Sequence, residues 1–203
     1  MTDRDARSRL LDAAKRLLWE RGFAATSPRA VMADSGVGQG SLYHHFPTKK
    51  ALAEAALDDI ADDLIAETDR LLADETQPPL DRLRAWLSRP RDGLKGCRMG
   101  RLAGDPEIFD AALHGPSARY FDYLRGRVAA CLRQAQTDGP LRDDLDADAM
   151  AAALVSVIQG GYVLSRTSSD AQAITQATSG AMAMLDALSD GREGAGAVPT
   201  SIR

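Results

Sequence analysis

Apolar residues recur along this chain in steps of three and four, the period of helices. Leu10, Leu11, Ala14, Leu17 and Leu18 form one stripe on a first helix over about residues 3–21, which Gly22 closes. Phe23 then enters a small core. Ser27-Pro28 is a helix start, because the hydroxyl can cap an orphan N–H and proline suits the first helical position. That second helix carries Ala30, Val31 and Ala33 and ends at Gly36, where a left-handed residue is expected. Val37 wedges into the turn. A third helix covers about residues 39–45, with Leu42 and Phe46 four apart and facing the core. Thr48 caps a fourth helix reaching about residue 74, with Leu57, Ile60, Leu64 and Leu71 on one face. Its length would be about 40 Å.

Gln77-Pro78-Pro79 breaks the chain. Leu80 to Leu87 reads as a short helix, residues 89–93 as a loop, and residues 93–104 as a glycine-rich stretch. A helix from Pro116 to about residue 137 carries Tyr120, Phe121, Tyr123, Leu124 and Val128, and Asp138-Gly139-Pro140 turns the chain. Asp146 or Asp148 caps a helix to about Arg166, and Asp170 caps another to about Leu188. Residues 191–203 are small and polar, with the composition of a disordered tail. The fold expected is all-α, with no internal repeat.

Composition narrows the class. The 203 residues are 44% hydrophobic and 5% aromatic, and no unbroken apolar run approaches the ~20 residues of a membrane span. The charged N-terminus lacks the apolar core of a signal peptide, so a soluble cytoplasmic protein is expected. Cys97 and Cys131 form no paired metal motif. Residues 1–50 hold nine basic and five acidic residues out of totals of 25 and 29. The head is therefore net positive by four and the remainder net negative by eight, the asymmetry of a nucleic-acid-binding head on an acidic body.

The residues left facing outward from the third helix fit that polarity. Gln39 offers a bidentate amide that matches adenine, and Ser41 can bond a base edge or a phosphate. Tyr43 has a hydroxyl for phosphate and a ring for sugar or a thymine methyl, and His44 can donate to phosphate or guanine. Thr48 with Lys49 and Lys50, at a helix N-terminus, makes a phosphate clamp. Competing classes are an all-α enzyme and an interaction module without DNA. No nucleophile–base set is evident: His44 and His45 lie in the reading segment and His114 stands alone. No phosphate loop, metal spacing or cofactor signature appears.

Residues 7–50 resemble the DNA-binding domain of the TetR family of bacterial repressors. The resemblance lies in Gly22-Phe23, Thr26-Ser27, Gly36-Val37, Leu42-Tyr43-His44-His45-Phe46 and Lys49, in that order. Gly38 departs from the family, which commonly carries Ser or another capping residue there. Together with Gly40 it makes the third helix intrinsically weak. The resemblance implies DNA contacts from Thr26, Ser27, Gln39, Ser41, Tyr43, His44, Thr48, Lys49 and Lys50. It also implies a helix-turn-helix domain over residues 1–50 and an effector-binding and dimerisation domain over residues 51–190, with the fourth helix as mechanical link.

Candidates to line an apolar effector cavity are Trp86, Cys97, Met99, Phe109, Leu113, Tyr120, Phe121, Tyr123 and Tyr162. In the family the last two helices form a homodimer. Here they carry Met150, Leu154, Ile158, Ile174, Ala177, Ala181, Met184 and Leu188 at bundle spacing, with small residues between them. A two-fold dimer of this kind suits a palindromic operator in double-stranded DNA. Residues 95–103 also resemble a Gly-Cys-X-X-Gly-X-Leu-Ala stretch of a subgroup that includes drug-efflux and electrophile-responsive repressors. That makes Cys97 a candidate thiol sensor, with Lys95, Arg98 and Arg101 near enough in sequence to favour its thiolate.

Overall fold

The computed structural model describes residues 3–109 and 111–190, so the predicted tail lies outside the described residues. Among these, the chain forms α1 (Asp3–Ala25), α2 (Pro28–Ser35), α3 (Gln39–His45), α4 (Lys49–Leu72), α5 (Pro79–Ser88), α6 (Ala111–Asp138), α7 (Ala147–Ser168) and α8 (Ala173–Asp190), with no strand. Two short 3₁₀ turns, Gly100–Gly104 and Pro106–Phe109, fall in and just after the stretch expected to be irregular. The described residues form two compact units, 3–66 with 95–122 and 67–94 with 123–190. Both α4 and α6 are shared between them.

In the first unit, the α1 stripe is fully buried and packs on α2, α3 and both 3₁₀ turns. Val31, Val37, Leu42 and Phe46 complete the core beneath the turn. Gly36 adopts φ 66°, the left-handed conformation expected of it, and its N–H donates to the Met32 carbonyl. Arg9 donates to the Ser35 carbonyl and Arg16 pairs with Asp34, which pins the end of α2 to α1. Lys15 of α1 reaches Asp59 at 2.5 Å and Asp63 at 3.3 Å on α4. Burial alone would lower the Lys15 pKa, but these two carboxylates outweigh it and raise it. Arg119 of α6 bridges Asp58 and Asp62 on the same helix.

The second unit has a core of Leu72, Leu83, Trp86, Leu87, Val128 and Leu132. Inside it lies a charge, Arg82, only 4% exposed. Its Nη1 donates to the Leu72 carbonyl at 3.0 Å, one of the four carbonyls that α4 leaves unpaired at its end, and its Nη2 donates to Gln134. A cation at a helix C-terminus is also favoured by the macrodipole. α7 and α8 pack closely: a Cβ on Gly161 would stand 2.5 Å from Ile174 Cδ1 and 3.1 Å from Ile174 Cα. Arg84 of α5 ties to Asp186 of α8 through Nε and Nη2 at 2.9 and 2.8 Å.

Two expectations need correction. α6 starts at Ala111 and carries Pro116 inside it, where the ring leaves one carbonyl of the first turns without its helical N–H, and Leu113 and Ser117 on either side are buried. The buried stripe of α4 ends on Thr68 and Leu72, while Leu71 is partly exposed. Separately, α7 is long and apolar enough to cross a membrane by length and composition. Its Ala, Val, Leu and Ile residues supply that apolarity, and Ser156 and Gln159 interrupt it, so no unbroken apolar run approaches the length of a span.

Candidate nucleic-acid interface

The site is assembled by local signals. Ser27 Oγ accepts the Ala30 N–H at 3.1 Å and starts α2. Thr48 Oγ1 accepts the Ala51 N–H at 3.0 Å and starts α4. α3 has no such device: Gly38 is its N-cap and supplies no side-chain hydrogen bond. Leu42 and Phe46 fix the roll of α3 by inserting into the core. The roll that buries them turns Gln39, Gly40 and His44 fully outward, with Tyr43 44% exposed and Ser41 partly so. His44 and His45 stack edge to face at 5.1 Å, and His45 leans on Phe46 at 6.2 Å.

The clamp residues differ from one another. Lys50 is exposed, whereas Lys49 is half-buried. Its ammonium sits 4.2 Å over the Phe23 ring and donates to the Ala24 carbonyl at 3.3 Å. Phe23 is therefore a partly exposed platform and not a core residue. Thr26 is 5% exposed and its hydroxyl donates to the Gly22 carbonyl at 2.7 Å, so that proton is spent inside the protein and Thr26 shapes the site from beneath. Among the exposed cations of this unit that sequence reasoning did not single out are Arg29 and Arg7. Arg29 lies in the first turn of α2, and Arg7 rests 5.5 Å over the Phe46 ring. Both were counted in the charge of the head, and only the fold says which faces they occupy.

The effector candidates do not gather in one unit. Cys97, Met99, Leu113, Tyr120 and Phe121 belong to the first, while Trp86, Tyr123 and Tyr162 belong to the second. The Phe109 side chain lies outside the described residues. Cys97, Met99, Leu113, Tyr120 and Trp86 are buried. Several have firm packing or hydrogen-bonding roles. Ser117 donates to the Met99 sulfur at 2.9 Å, and the Tyr123 hydroxyl sits 2.7 and 2.8 Å from the two Asp69 oxygens. Two clefts in the second unit have quite different linings. One, of about 130 Å³, is walled by residues 88–91 and α8; the other, of about 180 Å³, by residues of α4, α5 and the segment between them. The cations expected to act on Cys97 are engaged elsewhere. Lys95 lies 5.0 Å over the Trp19 ring, Arg98 faces Asp63 at 3.6 Å, and Arg101 donates to the Glu20 carbonyl at 2.8 Å.

The dimer candidates divide as well. Leu154, Ile158, Ile174 and Ala181 are buried within the chain. They lie on the faces where α7 and α8 press on each other and on the rest of the unit. Met150, Ala177 and Leu188 are intermediate, and Met184 is 67% exposed. Exposed beside it in kind, on α7, are Val163 and Leu164, which periodicity had not singled out.

Comparison with known proteins agrees with the head and the body alike. Residues 10–56 match the bacterial regulatory proteins of the tetR family, and residues 79–181 match the tetracyclin repressor-like C-terminal domain. The HTH-type transcriptional repressor KstR2 of Mycobacterium tuberculosis is 38% identical over 149 residues, covering 70% of this chain and 72% of that protein. The HTH-type transcriptional repressor DhaR of Mycobacterium sp. (strain GP1) is 25% identical over 159 residues, covering 77% and 80%. The crystal structure of regulatory protein TetR from Rhodobacter sphaeroides superposes with a TM-score of 0.74 at 25% identity, covering 88% of this chain and 97% of that one. An outward-facing α3 behind a capped turn, on a basic head, is thus carried by a chain that belongs to the TetR family of DNA-binding transcriptional regulators.

Proposed function

We propose that this chain is a homodimeric repressor released from a palindromic operator by a small apolar ligand. The observation that carries the reading is the exposure of Gln39, Ser41, Tyr43 and His44 on a helix whose roll is locked by Leu42 and Phe46. Gln39 and Ser41 read base edges, while Tyr43, His44, Thr48, Lys49 and Lys50 hold phosphates. Ser27 serves chiefly as the cap of α2. Residues 1–50 act as the reading head and residues 51–190 as the effector and dimerisation body. The exposed apolar residues Val163, Leu164 and Met184 of α7 and α8 pair with a second copy, which sets the spacing of two reading helices. Ligand binding in the body biases α4, which starts at the clamp and ends in the other unit. A coupling of about 1–3 kcal/mol changes operator affinity five- to 150-fold.

The test is binding of the purified protein to the intergenic DNA upstream of its own gene, against a scrambled duplex, at near-physiological salt. Preferential binding in units of two chains supports the reading. Equal affinity for both duplexes, repeated with genome-selected fragments, removes the operator from the proposal.

A further inference from the structure

We propose that Asp105 is a positioning residue for DNA binding: it holds the turn on which Lys49 rests, so that the 95–105 segment sets the strength of the phosphate clamp. The proposal rests on the reading of Lys49 as a phosphate-binding residue. The geometry starts at Gly22, which breaks α1 with φ 79° and ψ 176°, a region that essentially only glycine occupies. The break takes the Phe23 N–H out of the α1 ladder, and it donates instead to Asp105 Oδ2 at 2.8 Å. The Thr26 hydroxyl takes the Gly22 carbonyl, and the Thr26 N–H donates to the Phe23 carbonyl at 3.1 Å. In that turn the Phe23 ring becomes the platform for the Lys49 ammonium, and the Ala24 carbonyl becomes its acceptor. A continuous line of contacts thus leads from Asp105 through the Phe23–Ala24 backbone to Lys49.

The segment that carries Asp105 is itself fastened to the last turns of α1. Trp19 Nε1 donates to the Gly96 carbonyl at 3.0 Å, and Lys95 covers the same indole. Arg101 donates to the Glu20 carbonyl. A shift of residues 95–105 therefore moves the acceptor of the Phe23 N–H directly. Asp105 is held as an anion. Burial would raise its pKa, but hydrogen bonds with Glu107 and from the backbone N–H groups of Phe23, Glu107 and Ala24 outweigh burial and lower it.

Charge alone makes the opposite prediction, which is what makes the idea testable. Removing an anion from a DNA-binding head should tighten DNA binding. Removing the acceptor should loosen Lys49 and weaken it. The experiment measures binding of a 40-base-pair mixed-sequence duplex by fluorescence anisotropy across a salt series, for wild type, Lys49→Ala, Asp105→Ala, Asp105→Asn and the Lys49→Ala/Asp105→Ala double variant. Lys49→Ala should reduce the slope of log affinity against log salt by about one per chain. Asp105→Ala should lower it by the same amount and weaken binding roughly three- to tenfold at fixed salt. The double variant should be no weaker than Lys49→Ala alone. Asp105→Asn, which keeps an acceptor for the Phe23 N–H and drops the charge, should bind at least as tightly as wild type.

A DNA-free readout accompanies these. The Lys49 ε-methylene protons should show an upfield ring-current shift from Phe23 that survives Asp105→Asn and collapses in Asp105→Ala. Asp105→Ala binding as tightly as wild type, while Lys49→Ala weakens, overturns the proposal. So does a weakened Asp105→Asn, which is the variant to read should the alanine protein fail to fold. A Lys49→Ala protein with the wild-type slope overturns the clamp reading instead, and the ring-current shift still reports whether Asp105 holds Lys49 on Phe23.

Discussion

A methyl group at Gly161 would stand 2.5 Å from Ile174 Cδ1, 3.1 Å from its Cα and 3.2 Å from Ala177 Cβ. The first neighbour can swing away, but the second is backbone. Gly161→Ala should therefore force α7 and α8 apart and lower stability by about 1–3 kcal/mol, read by urea unfolding. An unchanged midpoint would mean that the helix pair has slack which the packing does not reveal. Cys131 makes a second residue-scale case. It is buried, its sulfur lies 3.4 Å from the Leu72 carbonyl, and burial raises its thiol pKa. Its thiolate is scarce near neutral pH, so iodoacetamide at pH 8 should label it at least tenfold more slowly in the native protein than after denaturation. At this scale, sequence showed the residues whose reason is local. Ser27, Gly36 and Thr48 announce themselves through chain neighbours three or four positions away. Asp105 and Arg82 do not, because Asp105 meets Phe23, 82 positions away, and Arg82 meets Leu72 and Gln134, 10 and 52 positions away, beyond any helical repeat.

Among the elements, α3 is the weakest by construction. It has seven residues, a glycine cap and a second glycine inside, and a Cβ at Gly40 would meet nothing within 4 Å. Gly40→Ala should stabilise the protein by roughly 0.5–1 kcal/mol, seen as a higher unfolding midpoint. A lower midpoint would show that the open space is not empty in solution. The end of α4 shows the converse, a helix terminus stabilised from a distance. Arg82→Leu removes the charged donor from the Leu72 carbonyl and from Gln134 inside the second unit. A loss of about 2–3 kcal/mol is expected in the same denaturation experiment. The helices of this fold were largely legible because their caps are short-range and their stripes are long. Which face of α7 and α8 turns inward was not. Both helices are apolar or small around most of their circumference, so periodicity offers two stripes and only packing chooses between them. Leu154 and Ile158 went to the chain's own core, and Val163, Leu164 and Met184 stayed outside.

For the whole molecule the open question is how many chains act together. Val163, Leu164 and Met184 at 60%, 56% and 67% exposure are unusual company for water on paired helices. Sedimentation at micromolar concentration should give two chains per particle for wild type and one for a Leu164→Glu/Met184→Glu protein. A monomeric wild type without DNA would contradict the dimer. The division of labour between a basic head and an acidic body was visible in the charge count alone, and that count depends on composition more than on fold. The distribution of effector candidates over both units was beyond sequence, since aromatic residues that pack a core and those that line a cavity look alike until neighbours are known. The proposed pairing through exposed residues of α7 and α8 also has a genetic consequence. Such pairing would not consult the reading head, so a chain with a damaged α3 or clamp would still join an intact one. Each such mixed pair would offer the operator a single working hand, and the defective allele would be dominant over the wild type in the same cell.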